Sequence, residues 1–227
     1  MQTLTAENTQ QSAAHEHAET TQQSKRLDTI RSREAKSILI VLATRYGHTA
    51  KIVQELVNAL KLLGHETIVV RAGRENPPKL EKVARDINCV ILGGPLYMSR
   101  FPRVLSDFIE QYRDVLKPIP SAFFSVSLTV AYDDGKKKNA VHDIMEQFFA
   151  KNHWQPCRKA SFAGALLYTH YGPLIRFIMR RISQSAGGGT NTHRDYIYTD
   201  WNEIPVFAQQ IDSMIKLAAQ EQQVSTA

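Results

Sequence analysis

The stretch "SILIVLATRYGHTAKIVQELV", residues 37–57, decides the fold, because a strand pattern turns into a helix pattern inside it. Residues 37–43 form a nearly continuous apolar run rich in β-branched residues, which predicts a buried strand. Residues 49–63 carry apolar side chains at helical spacing and are followed by Gly64, which predicts a helix that ends at a glycine. The chain therefore passes from a strand into a helix through a short loop that contains Gly47.

The same alternation continues along the chain. Further apolar runs, which predict four more strands, lie at 66–71, 88–94, 122–128 and 160–166. Helical patterns lie at 102–115, 139–151 and 200–220. Strands that are apolar on both faces and alternate with helices favour parallel pairing with right-handed crossovers. We therefore predict an α/β fold, a doubly wound five-stranded parallel sheet, in a domain over residues 36–227 with an insertion at about 168–195, near the last strand.

The composition limits the class of protein. Residues 1–35 are mainly Gln, Thr, Ala, His and Glu, and we expect a disordered polar tail. The net charge of +6 suits nucleic acid, an anionic lipid or an acidic small molecule, and does not choose among them. Two cysteines cannot form a zinc site alone and give no disulfide framework, so we predict no metal and a reducing, cytoplasmic compartment. Cys89 lies in an apolar run and is expected to be a buried thiol.

The loop at residues 44–49, "TRYGHT", has the composition of a phosphate site. The start of a helix presents free N–H groups and a positive dipole end, which together bind a phosphate. Gly47 lets the backbone turn, and the hydroxyls of Thr44 and Thr49 can donate to phosphate oxygens. The loop lacks the lysine of a Walker A motif and the glycines of a dinucleotide fingerprint. It therefore favours one terminal phosphate, such as that of FMN, although a turn in which Thr49 only caps the helix stays open.

A family resemblance rests on this loop and on four later segments. The T-x-x-G-x-T pattern at 44–49 resembles that of flavodoxins. The later segments are "SAFFSVSL" (121–128), "AGAL" (163–166), "RFIMRRIS" (176–183) and "GGGTNTHRDYIYTDW" (187–201). With them the chain resembles, from about residue 37 to the last helix, the flavodoxin-type protoporphyrinogen oxidase family, the menaquinone-dependent protoporphyrinogen IX dehydrogenases of bacteria. The resemblance implies a flavodoxin-like fold and FMN as the cofactor.

The resemblance also implies which residues contact FMN. In the first loop these are Thr44, Arg45, Tyr46, Gly47, His48 and Thr49. After the third strand they are Pro95, Leu96 and Tyr97, and after the fourth they are Ser127, Leu128, Thr129, Tyr132 and Asp133. No catalytic side chain is assigned, because the flavin performs the electron chemistry itself.

The insertion contains a basic amphipathic helix at residues 172–185. On a helical wheel, Leu174, Ile175, Ile178 and Ile182 share one face. The helix carries Arg176, Arg180 and Arg181 and no acidic residue, which is typical of a membrane-surface element. The same arginines could pair with the propionates of a porphyrinogen. A helix that packs on its own sheet with a solvated basic face stays open. Flanking glycines predict that the helix moves semi-independently.

The leading hypothesis is an enzyme of haem biosynthesis, located in the cytoplasm and peripherally on the inner face of the cell membrane. The resemblance implies that protoporphyrinogen IX is oxidised to protoporphyrin IX with FMN and that menaquinone or ubiquinone accepts the electrons. Two alternatives are a flavodoxin-like electron carrier or NAD(P)H:quinone reductase, and a non-enzymatic membrane-surface binding module. We expect no nucleic-acid partner, because basic residues are not interleaved with aromatic ones on one surface. The sequence leaves both a monomer and a homo-oligomer open.

Overall fold

The structure is a computed structural model that describes residues 37–72, 87–131, 136–185 and 187–225. The tail predicted at 1–35, and the predicted flavin contacts Tyr132 and Asp133, lie outside the described residues.

Five strands form one parallel sheet, as predicted. They are β1 (Ser37–Leu42), β2 (Glu66–Arg71), β3 (Ile87–Pro95), β4 (Ser121–Ser127) and β5 (Arg158–Ala163). Their order in the sheet is β2-β1-β3-β4-β5. Strands β2 and β3 lie on opposite sides of β1, so the winding direction reverses between β1 and β3. In open α/β sheets, ligands bind outside the carboxyl ends of the strands at this reversal point.

Helices cover both faces of the sheet. The described helices are α1 (His48–Leu62), α2 (Arg103–Leu116), α3 (Leu128–Ala131), α4 (Lys136–Asn152), α5 (Pro173–Ser185) and α6 (Glu203–Ser225). On one face, α1 and α6 bury apolar residues such as Ile52 and Phe207 against β1, β3 and β4. On the other face, α2 and α4 bury residues such as Phe108 and Phe149. Burial on both faces explains why the central strands are almost continuously apolar.

The C-terminal end of α1 confirms the predicted glycine. Gly64 has φ +89°, the left-handed conformation that glycine adopts at little cost. The N–H of His65 donates to the carbonyl of Leu60 at 3.0 Å, and the N–H of Gly64 donates to that of Lys61 at 3.0 Å. These are the two bonds of a Schellman motif, which ends the helix by satisfying its last carbonyl groups.

The predicted fifth strand at 160–166 is divided in two, and its boundary was wrong. Strand β5 ends at Ala163, and Ala165–Leu166 (β6) pairs antiparallel with Tyr196–Ile197 (β7) in a separate two-stranded sheet. The division lies at Gly164, whose N–H donates to the carbonyl of Ser127 at 2.9 Å. The insertion between β6 and β7 contains α5. None of the described helices is long and apolar enough to cross a membrane.

Candidate functional site

A recess opens where the carboxyl ends of β1, β3 and β4 meet. The lining residues are Thr44, Tyr46, His48, Thr49, Pro95, Leu96, Tyr97, Val126, Ser127, Leu128, Gly164, Ala165, Leu167 and Tyr171. The recess therefore occupies the place that the reversal of strand order predicts for a ligand.

The first wall is the start of α1. Gly47 precedes the helix with φ +88°, and its N–H donates to Thr44 Oγ1 at 3.2 Å. No side chain makes a capping hydrogen bond to this helix, so Thr49 does not act as its cap. The first hydrogen bond inside the helix runs from the N–H of Lys51 to the carbonyl of Gly47. The N–H groups of the first turn are thus left for a ligand, and an anion is favoured there.

Two buried polar atoms at the recess have no hydrogen-bond partner among the described residues. They are Ser127 Oγ and His48 Nδ1. Leaving a polar group buried and unpaired costs about 1–3 kcal/mol, so such atoms call for a ligand or an ordered water. An uncapped helix start and the threonine hydroxyls of the same loop form a donor set that suits a phosphomonoester. The residues present therefore fit the phosphate end of FMN.

Tyrosines form the second wall. The rings of Tyr46 and Tyr171 meet edge to face with centroids 4.9 Å apart. The Tyr171 oxygen accepts a hydrogen bond from the N–H of Leu167 at 3.2 Å, which fixes its ring. Burial, together with Tyr171 and Tyr46, raises the pKa of Tyr97 to about 12, so this phenol is neutral at physiological pH. These rings provide the flat apolar cover that a flavin requires.

A tight turn holds Tyr97 at the end of β3. The N–H of Tyr97 donates to the carbonyl of Arg100 at 3.0 Å, and the N–H of Arg100 donates to that of Tyr97 at 2.9 Å. Met98 and Ser99 fill the turn with φ values of 48° and 59°. Positive φ at two successive non-glycine residues is costly and is common at functional sites. The turn orients Tyr97 beside the recess.

The structure brings together nine of the predicted flavin contacts. Thr44, Tyr46, His48, Thr49, Pro95, Leu96, Tyr97, Ser127 and Leu128 line the recess. Gly47 forms the turn below it, and the guanidinium of Arg45 lies 5.4 Å from the centroid of the Tyr46 ring. Thr129 is exposed on α3 and is not among the lining residues.

Sequence reasoning missed Val126, Gly164, Ala165, Leu167 and Tyr171, which also line the recess. Four of them follow β5, whose carboxyl end lies at the same edge of the sheet as those of β1, β3 and β4. FMN contacts were predicted only in the loops after the first, third and fourth strands. The loop after the fifth predicted strand could have been included by the same rule.

Helix α5 is attached through the side that carries Arg176 and Ser183, where Met179 also packs. The Arg176 side chain donates from Nε to the carbonyl of Tyr168 at 3.1 Å and from Nη2 to that of Tyr171 at 3.0 Å. Ser183 is buried, and its hydroxyl donates to the carbonyl of Gly189 at 2.8 Å. The predicted arginines Arg180 and Arg181 are exposed.

The apolar side of α5 faces outward. Leu174, Ile175, Phe177, Ile178 and Ile182, which we call the α5 apolar face, are between 37% and 71% exposed. Packing of this face on the protein's own sheet, one of the alternatives above, does not occur in the described structure.

The glycines that follow α5 do not form a free hinge, contrary to the prediction. The carbonyl of Gly189 accepts hydrogen bonds from the Tyr168 hydroxyl at 2.9 Å and from the Ser183 hydroxyl at 2.8 Å. Its N–H donates to the Tyr198 hydroxyl at 3.1 Å. A Cβ at this position would lie 2.3 Å from the Tyr196 ring. Gly189 is therefore required for close packing, and it ties the end of α5 to the tyrosines of the insertion.

Several known proteins are similar to this chain. A family model described as a flavodoxin domain matches residues 39–193. Protoporphyrinogen IX dehydrogenase (quinone) of Escherichia coli strain K12 is 32% identical over 173 residues, 76% of this chain and 93% of that protein. The Leishmania major protein of the same name is 29% identical over 175 residues, 77% of this chain and 74% of that protein.

Among solved structures, the flavodiiron core of Flv1 from Synechocystis sp. PCC6803 has a TM-score of 0.52 at 11% identity. The match covers 88% of this chain and 41% of that one. At this identity the likeness supports the fold alone. Within the described ranges, no group of three His, Cys, Asp or Glu side chains is placed to hold a metal ion.

Proposed function

We propose that this protein oxidises protoporphyrinogen IX to protoporphyrin IX with FMN and passes the electrons to a quinone. The chain belongs to the flavodoxin-domain family of protoporphyrinogen IX dehydrogenases. The observation that carries the proposal is 32% identity to a curated protein named for this activity, over 93% of that protein's length. Independent support comes from the recess, because residues from three strand ends converge on it.

The chain's own residues hold the phosphate end of the cofactor. The uncapped first turn of α1 offers its N–H groups and its dipole to the dianion. The hydroxyls of Thr44 and Thr49 line the same space and can donate to phosphate oxygens. Gly47 makes this approach possible, because a left-handed residue is needed between β1 and α1. Together these contacts anchor one end of the flavin at the edge of the sheet.

The ring system is covered by the other two strand ends and by the insertion. Pro95 ends β3, and Leu96 and Tyr97 follow it. Ser127 and Leu128 lie at the end of β4, and Tyr171 comes from the insertion. Their apolar surfaces exclude water from the cofactor. When bound, FMN supplies the two-electron redox chemistry that these side chains do not have. The residues of the recess would hold and position the cofactor.

The test starts with the purified protein. A flavin absorbance spectrum is expected first, and then anaerobic turnover of protoporphyrinogen IX when a quinone is added. A yellow protein that oxidises no protoporphyrinogen would overturn the proposal. Reduction by NADPH without any porphyrin activity would instead support the quinone reductase. Gly47→Val should lose FMN, because a β-branched residue at φ +88° strains the backbone of the loop. A Cβ at this position meets nothing within 4 Å, so the effect comes from the backbone and not from a clash.

We further propose that α5 holds the enzyme at an anionic membrane surface on the cytoplasmic side. The α5 apolar face is exposed in the described structure, and such a contiguous patch marks an interaction surface. Arg180 and Arg181 flank it, and the guanidinium of Arg181 lies 5.7 Å from the centroid of the Phe177 ring. A helix with a large apolar face, arginines and no acid lies in the interface plane of a bilayer. Each arginine contributes about 1 kcal/mol near an anionic leaflet, so the attachment is reversible.

Co-sedimentation with vesicles tests this attachment. We expect the protein to pellet with vesicles of phosphatidylglycerol and phosphatidylcholine, less so at high salt. Phe177→Glu combined with Ile178→Glu should abolish pelleting, whereas Leu217→Glu, which changes an equally exposed apolar residue on α6, should not. Arg180→Gln combined with Arg181→Gln should weaken binding to anionic vesicles by about tenfold or more. Equal loss in the Leu217→Glu control, or no pelleting of the unchanged protein, would contradict the proposal.

A further inference from the structure

A chain of two short hydrogen bonds lies behind the phosphate loop. His48 Nε2 is 2.7 Å from Thr199 Oγ1, and that hydroxyl is 2.6 Å from the carbonyl oxygen of Ala163. A carbonyl oxygen only accepts, so the hydroxyl hydrogen of Thr199 is committed to Ala163. The Thr199 oxygen can then only accept from the imidazole. Nε2 of His48 must therefore carry the ring hydrogen.

This arrangement decides the chemistry of the other ring nitrogen. In a neutral imidazole with a hydrogen on Nε2, Nδ1 is an acceptor. Nδ1 of His48 is buried and has no partner within the part of the chain that the structure describes. The residue is 8% exposed and lines the recess at the first position of α1. Burial, and then the nearby charge of Lys51, lower the pKa of His48 below its usual value, so the ring is neutral at pH 7.

The other charged groups around His48 do not change the assignment of a neutral ring with its hydrogen on Nε2. Arg45 lies over the Tyr46 ring in the same loop. On the side of α6, Asp200 Oδ1 accepts hydrogen bonds from the backbone and the side chain of Asn202. Trp201 closes that side, with its ring centroid 6.0 Å from that of His48. Burial raises the pKa of Tyr97 and of Tyr171, so these two phenols stay neutral.

We propose that His48, positioned by Thr199, makes cofactor binding depend on one proton, which Nδ1 and a phosphate oxygen of FMN share. The proposal rests on the proposed function, because FMN is the ligand. Free FMN above pH 7 is a dianion, since the second pKa of a phosphomonoester is about 6. A dianion and a neutral Nδ1 would bring two lone pairs together. Uptake of one proton from solvent resolves this.

The shared proton can be assigned to Nδ1 of His48 or to the phosphate oxygen, and the number of protons taken up on binding is the same. With the proton on Nδ1, an imidazolium donates to a dianion, and with the proton on the phosphate, a monoanion donates to a neutral imidazole. Both descriptions contain one proton more than the separate partners have above pH 7. Riboflavin has no phosphate and needs no such proton. His48 therefore acts as a specificity-determining residue for the phosphorylated flavin, and its effect weakens as pH rises.

Calorimetric titration of the apoprotein with FMN, in buffers of different ionisation enthalpy near pH 7.5, tests the proposal. We expect uptake of a fraction of a proton up to one, and a Kd that rises by up to about tenfold per pH unit above pH 7. Riboflavin should show neither effect. His48→Gln should still bind FMN, more weakly, with no uptake and a Kd that does not depend on pH. Thr199→Val should reduce the uptake, Thr199→Ser should retain it, and Lys51→Gln should retain it as a charge control.

Nitrogen NMR of the apoprotein reads the tautomer directly and does not require flavin. We expect the hydrogen of the His48 ring to lie on Nε2 in the unchanged protein. In Thr199→Val we expect that tautomer to be no longer the only one. A hydrogen on Nδ1, or FMN binding without proton uptake, would overturn the role of His48 and leave the proposed function intact. Failure of FMN to bind at all would overturn the proposed function itself, together with the inference that rests on it.

Discussion

Gly93 lies in β3 directly opposite Phe124 of β4. A Cβ on Gly93 would lie 1.9 Å from the Phe124 ring, and that ring is fully buried. We expect Gly93→Ala to lower the free energy of unfolding by about 1–3 kcal/mol, the usual cost of overpacking a core. Urea unfolding of the apoprotein measures this. Gly172→Ala is the matched control, because a Cβ there meets nothing within 4 Å, and equal stability of the two variants would contradict the argument.

Asp212 joins the end of α1 to α6 through a buried pair. Its Oδ1 is 3.0 Å from His65 Nε2, and its Oδ2 accepts from Lys216 Nζ at 2.8 Å. Asp212→Leu leaves the His65 nitrogen buried and unpaired, so we expect a loss of about 1–3 kcal/mol in the free energy of unfolding. Lys216 is the exposed partner of Asp212, and the His65 bond survives its removal, so Lys216→Gln should cost less than about 1 kcal/mol.

The double variant with His65→Leu and Asp212→Leu completes this test. Replacing both polar partners by apolar groups of similar size can be nearly neutral. We therefore expect it to be more stable than Asp212→Leu alone, as measured by thermal unfolding in a double-mutant cycle. If the losses in the free energy of unfolding of the two single variants add up in the double variant, the bond between His65 and Asp212 does not cause the destabilisation.

At the scale of single residues, the sequence predicted the first corner of the site better than the rest. Thr44, Gly47 and Thr49 follow from local rules about strand ends, helix starts and glycine. Tyr171 and Leu167 reach the same recess from the insertion, far along the chain. The rule for strand ends covers the loop after the fifth predicted strand, but which of its residues reach the recess depends on how the insertion packs.

At the scale of elements, β1, β3 and β4 were predictable because burial on both faces leaves a continuous apolar run. The attachment of α5 was not predictable in the same way. Amphipathicity defines two faces of a helix, but it does not say which face the protein covers. Here the guanidinium of Arg176 satisfies two backbone carbonyl groups, so the side that carries Arg176 is the attached one.

Arg176 should therefore control the attachment of α5. Arg176→Met removes both hydrogen bonds to the carbonyl groups of Tyr168 and Tyr171, and we expect faster cleavage within residues 173–189 in limited proteolysis. The global free energy of unfolding should change little. Arg181→Met removes the same charge from an exposed position and should leave the cleavage rate as it is in the unchanged protein. Equal rates for the two variants would mean that the carbonyl contacts do not hold the helix.

At the scale of the whole molecule, the recess joins strand ends that are far apart in sequence. The order β2-β1-β3-β4-β5 brings the loops after β1, β3 and β4 together, so a ligand in the recess contacts all three. A ligand that binds only the folded state stabilises it by an amount that depends on the ratio of its concentration to its Kd. Bound FMN should thus stabilise the carboxyl ends of β1, β3 and β4 together.

We expect FMN at a hundred times its Kd to raise the free energy of unfolding of the apoprotein by about 2.7 kcal/mol. Hydrogen exchange should slow together in residues 44–49, 95–97 and 127–128, because one ligand contacts all three segments. Residues 139–152 of α4, none of which is among the lining residues of the recess, serve as the internal control. Protection confined to residues 44–49 would mean that FMN is held by its phosphate alone, and that the strand ends after β3 and β4 do not form the flavin site.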